Sequence, residues 1–287
     1  MHPCQRHSHP KMTRRDFLKV FGATAAGAVL ASCKSTPTET VLEPSQSQAK
    51  TTAPKTSNGE KPVVAITQAN SYDRKLIRNQ VQDLLDNLGG VDDVLAHGTR
   101  VAIKVNLTGG TSVAPLPGIP EIESYLTHPE IVRALIELLR DAGAKDLYVV
   151  EAVYEKQSWT NYGYRDMAKE TGAVLVDLTD SDPYPSFMDV NSSDNPFIYE
   201  KFKFNPILTE IDALVSVSKL KCHNSAGVTH TMKNLYGLVP YRFYTLNNGD
   251  RYRSAYHGTA KELKQRLPRV ILDLNQARPV NLGIEDR

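Results

Sequence analysis

Cysteine is scarce in this sequence, with three residues among 287, at Cys4, Cys33 and Cys222. No two of them have the Cys-x-x-Cys spacing that holds an iron–sulfur cluster or a structural zinc ion, so neither is expected from this chain. Only Cys222 lies in the part of the sequence expected to fold. An intrachain disulfide is therefore excluded there.

The sequence also lacks a long apolar run and a concentration of charge of one sign. The stretch 20–32 contains few large apolar residues, whereas about 20 strongly apolar residues are needed to span a bilayer. Lys and Arg number 34 against 32 Asp and Glu, which gives a net charge of +2. Because no Lys/Arg cluster is interleaved with aromatic residues, no nucleic-acid partner is expected.

Paired arginines near the N-terminus predict export. Arg14 and Arg15 precede an apolar pair and an Ala/Gly-rich stretch, an order that resembles the signal of the twin-arginine (Tat) pathway. Small residues then precede Cys33, as in the box where a signal peptidase cuts and the cysteine receives a lipid. We predict that residues 1–33 are a signal peptide with its lipobox, which is read by the Tat translocase and cleaved directly before Cys33. The lipid on Cys33 would anchor the protein to the membrane at the cell envelope, on its periplasmic or extracytoplasmic face.

The segment that follows the signal is dominated by Ser, Thr, Pro, Gln and Lys. Residues 34–60 have almost no apolar side chains and cannot bury a core, so they are predicted to form a disordered tether. Residues 61–287 are expected to form the folded domain. Translation can begin at Met1 or at Met12 without loss of the signal, and the sequence leaves both open.

The sequence after the tether alternates short apolar runs with segments of helical periodicity. This alternation predicts an α/β fold, with a mostly parallel sheet covered by helices on both faces. Strands are predicted at 63–66, 101–103, 147–150, 174–176 and 214–217, and helical spacing covers 76–88, 131–139 and 164–171. Thr127-His128-Pro129-Glu130 has the form of a capping box in which Thr127 is the N-cap.

Ligands of such folds bind at the carboxyl ends of the strands. Lys104 and Asn106 follow one predicted strand, and Glu151 follows the next. A lysine directly after a buried strand needs water, a carboxylate or an anionic ligand. Two interpretations stay open: Lys104 binds an anionic substrate that Asn106 orients, or Lys104 is paired with an acidic neighbour, for which Glu151 is slightly favoured.

Charged and hydroxyl side chains are densest in the segment 221–237. A Gly-containing loop and a helix predicted to begin at Thr229 have the parts of an anion site, because backbone N–H groups at a helix start point at the ligand. The candidate residues of this segment are Lys221, His223, Thr229, Lys233 and Asn234.

Each of these side chains has a predicted role. Lys221 and Lys233 would balance the charge of the ligand, and His223 would transfer a proton near neutral pH. Thr229 would cap the helix or contact the ligand, and Asn234 would orient it. Thr229 and Lys233 are four residues apart and would share a helical face. The alternative is a solvated loop with scattered charges.

The spacing Lys-x-His, a short loop and then Thr-x-x-x-Lys-Asn-x-x-Gly resembles the signature of the family called domain of unknown function 362. Further segments resemble its pattern in the same order, beginning at Lys104, Thr127, Ala142 and Gly163. The similarity runs from about residue 63 to the C-terminus. The family name implies no established reaction. Some relatives carry ferredoxin-type cysteine clusters, but this chain has none, so that property is not transferred.

The sequence departs from the family pattern in two places. Cys222 stands where relatives often have threonine, and on a continuing strand it would point away from His223, so it is not expected to be a nucleophile. Relatives usually continue past the segment matched by 280–286. The domain is therefore expected to be either naturally short or truncated at its C-terminus.

The pattern as a whole favours an enzyme that acts on a small anionic substrate, with His223 and Lys221 as catalytic residues. The alternatives are a non-catalytic envelope lipoprotein that binds a ligand or a partner, and an inactive fragment. His230 and His257 could join His223 at a metal ion, but no ligand spacing is diagnostic, and no metal is predicted. The Tyr- and Arg-rich stretch 236–256 is interpreted as a lid or a surface loop.

Overall fold

The computed structural model of the protein describes residues 63–96, 98–108, 114–259 and 261–287. The predicted export signal with Arg14 and Arg15, the predicted lipidation residue Cys33 and the predicted tether 34–60 lie outside these ranges.

A sheet of five parallel strands forms the centre of the described region. The strands are β1 (Arg100–Lys104), β2 (Asp146–Glu151), β3 (Val174–Asp177), β6 (Ala213–Lys219) and β9 (Leu282–Asp286), in the order β3-β2-β1-β6-β9. Two antiparallel hairpins accompany it, one of β4 (Met188–Asn191) and β5 (Lys201–Phe204), the other of β7 (Lys221–His223) and β8 (Gly227–Thr229). The prediction of an α/β fold with a mostly parallel sheet is confirmed.

Ten α-helices connect and cover the strands in the described region. They are α1 (Arg74–Asn87), α2 (Asp92–Leu95), α3 (Glu121–Ser124), α4 (Pro129–Asp141), α5 (Ser158–Asn161), α6 (Tyr164–Thr171), α7 (Ile207–Glu210), α8 (Thr231–Asn234), α9 (Ser254–His257) and α10 (Leu263–Ala277). Two short 3-10 helices, Leu235–Leu238 and Tyr241–Phe243, lie between α8 and α9. None of these described helices is long and apolar enough to cross a membrane.

The helices bury the two faces of the sheet in separate apolar clusters. Successive side chains of a strand point to opposite faces, and in β1 Val101 and Ile103 join the cluster that contains α1, α4 and α6. Ala102 joins the other cluster, with Leu267 and Val270 of α10. All five side chains are fully buried. Helices on both faces, as predicted, therefore hold the strand ends in fixed positions.

The apolar run 63–66 is not a strand, and this prediction was wrong. Val63, Val64 and Ile66 are 70%, 79% and 89% exposed, and the backbone there is irregular. Apolar composition favours a strand only where a neighbouring strand supplies hydrogen bonds and a face to pack on. The described sheet provides neither for this segment.

The N-cap of α4 is His128 and not Thr127. His128 Nδ1 accepts the Glu130 N–H at 3.2 Å. Thr127 is instead buried between strand ends, where its hydroxyl donates to Val217 O at 2.8 Å and accepts the Asn106 N–H at 2.9 Å. The residue predicted as a cap therefore ties the loop after β1 to β6.

Candidate functional site

A cavity of about 120 Å³ lies at the carboxyl ends of β1 and β2, beside the β7–β8 hairpin that follows β6. The chain runs from β1 to β2 and β3 on one side, and then to β6 and β9 on the other. Ligands of parallel α/β sheets bind at such a switch point. All seven substrate-site and catalytic candidates line this cavity: Lys104, Asn106, Lys221, His223, Thr229, Lys233 and Asn234. The structure brings them together, and their roles stay predictions.

The Lys104 ammonium group is fully buried and bonded in three directions. It donates to Val105 O at 2.6 Å, Glu151 Oε2 at 3.1 Å and Asn234 Oδ1 at 3.3 Å. Burial lowers the pKa of Lys104, and Glu151 opposes that shift. Glu151 also accepts the Leu107 N–H at 3.0 Å. The pairing with Glu151 that the sequence favoured is present.

Two asparagine side chains hold the lysines in place. Asn234, 2% exposed, donates through Nδ2 to Lys104 O and to Ser216 Oγ, both at 3.1 Å, and so links β1 to β6. Its Oδ1 accepts from the Lys104 ammonium group. Asn106 Oδ1 accepts from Lys221 Nζ at 2.7 Å. Asn106 and Asn234 were predicted to orient the ligand. In the structure their side-chain oxygens bind the ammonium groups of Lys221 and Lys104.

Lys221 extends from β7 to the loop after β1. Its ammonium group donates to Asn106 Oδ1 and to Tyr125 O, both at 2.7 Å. Burial lowers the pKa of Lys221 to about 8, with Lys104 adding to the shift and Glu151 opposing it. Lys221 therefore carries its charge at neutral pH but loses it under mildly basic conditions.

Two further cations in the cavity have no carboxylate partner among the described residues. Arg253 is 1% exposed, and its guanidinium donates to Val239 O and to Tyr154 Oη, the latter at 3.3 Å. Lys233 Nζ lies 3.8 Å from the centroid of the Tyr236 ring. Within the described ranges, no acceptor forms a hydrogen bond with that ammonium group. Burial and then Arg253 lower the pKa of Lys233 to about 7.

The His223 ring is held as a neutral hydrogen-bond donor. Its Nδ1 accepts the N–H groups of Ser225 at 3.2 Å and Ala226 at 3.1 Å, which leaves the proton on Nε2. Burial, followed by the charge of Lys233, lowers the pKa of His223 to about 4. The ring centroid lies 5.9 Å from that of His257, whose pKa is also lowered, by burial and by Lys233. Both rings are therefore neutral at pH 7.

Thr229 ends strand β8 and does not begin a helix. Helix α8 starts at Thr231, so Thr229 and Lys233 do not share a helical face as predicted. The Thr231 N–H donates to Glu285 Oε1 at 2.7 Å and to His230 Nδ1 at 2.9 Å. Because a carboxylate of the protein already occupies this helix start, the prediction of an anion site on its N–H groups was wrong.

Gly237 brings the backbone against the buried ion pair. A Cβ atom at this position would collide with the Glu151 carboxylate and lie 2.7 Å from Lys104 Nζ. The Gly237 carbonyl accepts the Ala152 N–H at 2.9 Å, just beyond the end of β2. A side chain at this position would displace the Glu151 carboxylate and the Lys104 ammonium group from their hydrogen bonds, so Gly237 lets the backbone close the cavity over this pair.

Several lining residues were not assigned to the site from the sequence. Tyr154 follows β2, and Tyr236, Tyr252 and Arg253 come from the stretch 236–256. The sequence allowed a lid or a surface loop for this stretch, but one of its residues, Arg253, is buried. An arginine in an irregular, aromatic-rich segment has no periodicity that predicts burial. The concentration of Tyr and Arg residues in the stretch 236–256 was the available signal, and in the structure the Arg253 guanidinium lies over the rings of Tyr154 and Tyr236.

The histidines do not form a metal centre in the described part of the chain. No group of three or more His, Cys, Asp or Glu side chains there is arranged to hold a metal ion. His223 and His257 line the cavity, whereas the His230 side chain is 56% exposed and lies 2.9 Å from Glu285. Cys222 is an exposed free cysteine on β7.

Residues 101–287 match the model of the family described as Domain of unknown function (DUF362), and residues 11–31 match the twin-arginine translocation (TAT) pathway signal sequence. A protein of Synechocystis sp. named as thylakoid-associated is 23% identical over 231 residues, which cover 78% of this chain. The chain spans 62% of the length of that relative.

Proposed function

Because the chain belongs to the DUF362 family and carries a twin-arginine signal that directs export across the cytoplasmic membrane, we propose that it is a lipid-anchored envelope enzyme that acts on a small anionic substrate. The observation that carries this proposal is a pair of cations, the buried Arg253 and the partly buried Lys233, that have no carboxylate partner in the described structure. A charge taken out of water without a partner is costly. An anionic ligand in the cavity would remove that cost.

The charge and size of the cavity define the ligand class. Its lining includes four Lys or Arg residues and one carboxylate, Glu151, which is already bonded to Lys104. A volume of about 120 Å³ is well above the roughly 10–15 Å³ that a single buried water molecule needs. Phosphate, sulfate and short carboxylic acids fit this volume and charge.

The titratable groups of the cavity suit an enzyme more than a simple anion receptor. Proton transfer is most efficient when the pKa of the catalytic group lies near the working pH. Lys233, with a pKa of about 7, meets this condition, and Lys221, with a pKa of about 8, nearly does. His223 would then act through its Nε2–H as a neutral donor to a substrate oxygen, as other neutral histidines do.

Sulfate binding to the full-length chain tests the anion site. Isothermal titration calorimetry at pH 7 is expected to show binding that Lys233→Gln weakens roughly 10- to 100-fold, the 1.5–3 kcal/mol that a hydrogen bond to a charged group contributes. Lys201→Gln removes an exposed lysine of β5 and is the matched control. Wild-type protein without measurable sulfate binding would contradict the proposal.

The pH dependence of the same titration gives a second readout. Sulfate keeps its charge from about pH 6 to about pH 9, so any change reports on the protein. Since the pKa of Lys233 is about 7 and that of Lys221 about 8, both are charged at the lower limit and mostly neutral at the upper one. Affinity should fall as pH rises. In Lys233→Arg, whose charge persists, the part of the fall near pH 7 should disappear.

The lipid anchor is tested by cell fractionation. In Cys33→Ser, the protein is expected to move from the membrane fraction to the soluble extracytoplasmic fraction, because the residue that would receive the lipid is gone. In the double variant Arg14→Lys/Arg15→Lys, unprocessed chain should accumulate in the cytoplasm. Wild type and Cys33→Ser in the same membrane fraction would exclude anchoring through Cys33.

A further inference from the structure

We propose that Lys233 forms a covalent imine with the carbonyl group of the substrate, so that the cavity acts on small anions that carry an aldehyde or ketone, such as 2-oxo acids. This inference rests on the proposed anion site and specifies the reaction of one of its residues. Here Lys233 is a nucleophile. In the proposed anion site it needs only to carry the positive charge that balances the ligand.

Three lysines line the cavity, and two of them are already engaged. Lys104 donates three hydrogen bonds inside the protein, one of them to Glu151. Lys221 donates to Asn106 and to the Tyr125 carbonyl. Reaction of either amine with a ligand would break these bonds. Lys233 Nζ rests on the face of the Tyr236 ring and has no such bond within the described ranges.

The surroundings of Lys233 favour the uncharged, nucleophilic form of its amine. Burial lowers the pKa of Lys233 to about 7, and the positive charges of Arg253, Lys221 and Lys104 add to this effect. A lysine placed in a desolvated pocket beside another cation is a recognised arrangement for an imine-forming amine. A substantial fraction of the Lys233 side chains is therefore neutral at pH 7, whereas only a very small fraction of an exposed lysine is.

The remaining cavity groups match the needs of the reaction. The Lys233 ammonium group first releases one proton, and the neutral amine then attacks the carbonyl carbon, so that the C–N bond forms as the carbonyl π electrons move to oxygen. One proton passes from nitrogen to that oxygen, the released proton returns to it, and the C–O bond breaks to release water. His223 Nε2–H can donate a hydrogen bond to that oxygen as its negative charge grows. Arg253 and Lys221 hold the substrate carboxylate. Overall, the ammonium form of Lys233 and the carbonyl compound give a protonated imine and one water molecule, with no change in net charge.

Reductive trapping tests the inference on the full-length chain. Glyoxylate is the probe, because it is a small anion that is also an aldehyde, and cyanoborohydride delivers a hydride to the imine carbon and leaves a stable carboxymethyl amine. Peptide mapping by mass spectrometry at pH 7 should show Lys233 modified roughly tenfold or more faster than the exposed Lys201. Excess sulfate should slow the modification of Lys233 and leave that of Lys201 unchanged.

Lys233→Arg tests whether the trapped amine is that of Lys233. Arginine cannot form an imine, so trapping in the cavity should disappear while the exposed Lys201 is modified at the wild-type rate, and a cooperative urea transition shows that the variant is folded. If wild-type protein binds sulfate but Lys233 is modified no faster than Lys201, the imine is excluded and the anion site stands. If sulfate does not bind, the proposed function itself fails.

Discussion

Replacement of Glu151 by alanine is expected to lower the free energy of unfolding by about 3–5 kcal/mol. The fully buried Lys104 ammonium group would lose the carboxylate 3.1 Å away, and the Leu107 N–H would lose its acceptor. Removal of one partner of a buried ion pair leaves an uncompensated charge, which costs far more than the pair itself contributes. Urea unfolding followed by circular dichroism measures the difference.

Two further variants show whether the effect comes from the buried charge. Asp189→Ala removes the exposed ion pair with Lys203, whose atoms are 2.8 Å apart, and should hardly change the urea midpoint. The double variant Lys104→Met/Glu151→Leu removes both charges and should recover most of the stability lost in Glu151→Ala. Equal midpoints for Glu151→Ala and Asp189→Ala would contradict the role assigned to the buried pair.

Replacement of Asp286 by alanine should have an effect of similar size, about 3–5 kcal/mol. Asp286 is 3% exposed on β9, and its Oδ1 accepts from Tyr72 Oη at 2.7 Å and from the buried Lys219 Nζ at 3.2 Å. Its Oδ2 accepts the His128 N–H at 3.0 Å at the start of α4. One carboxylate therefore joins the last strand to the segment before α1, to β6 and to α4.

Hydrogen exchange of the Asp286→Ala variant distinguishes the local loss of a hydrogen bond from a loss of stability of the whole fold. The His128 amide should exchange faster in Asp286→Ala even under conditions where the fold persists, because its acceptor is gone. Asp286→Asn keeps an acceptor oxygen but removes the charge that compensates Lys219, so it should recover only part of the stability. An Asp286→Ala chain with a wild-type urea midpoint would show that this junction does not stabilise the fold.

Much of the sheet could be predicted from the sequence, because buried parallel strands are marked by short apolar runs. The runs at 101–103, 147–150 and 214–217 are strands, since neighbours on both sides supply their hydrogen bonds. The equally apolar run 63–66 is exposed. The difference is the presence of a partner strand, which composition does not encode.

The site residues after the strand ends could also be located, but their partners could not. Lys104 and Lys221 were visible because each follows a predicted strand, and parallel strands end at the same edge. The burial of Arg253 depends on how the stretch 236–256 folds back over β2, which no periodicity describes. The start of helix α8 was misplaced by two residues because His230 and Glu285, a residue distant in sequence, determine it.

The contact of Gly237 with the ion pair has a consequence for how sequences of this family diverge. A methyl group at position 237 and a full-length carboxylate at position 151 cannot occupy the same space. Relatives that carry alanine in place of Gly237 should therefore also carry a shorter or uncharged residue in place of Glu151, with Lys104 changed as well. The three positions should covary. A relative in which only one of them differs is expected to have a cavity of different shape and charge.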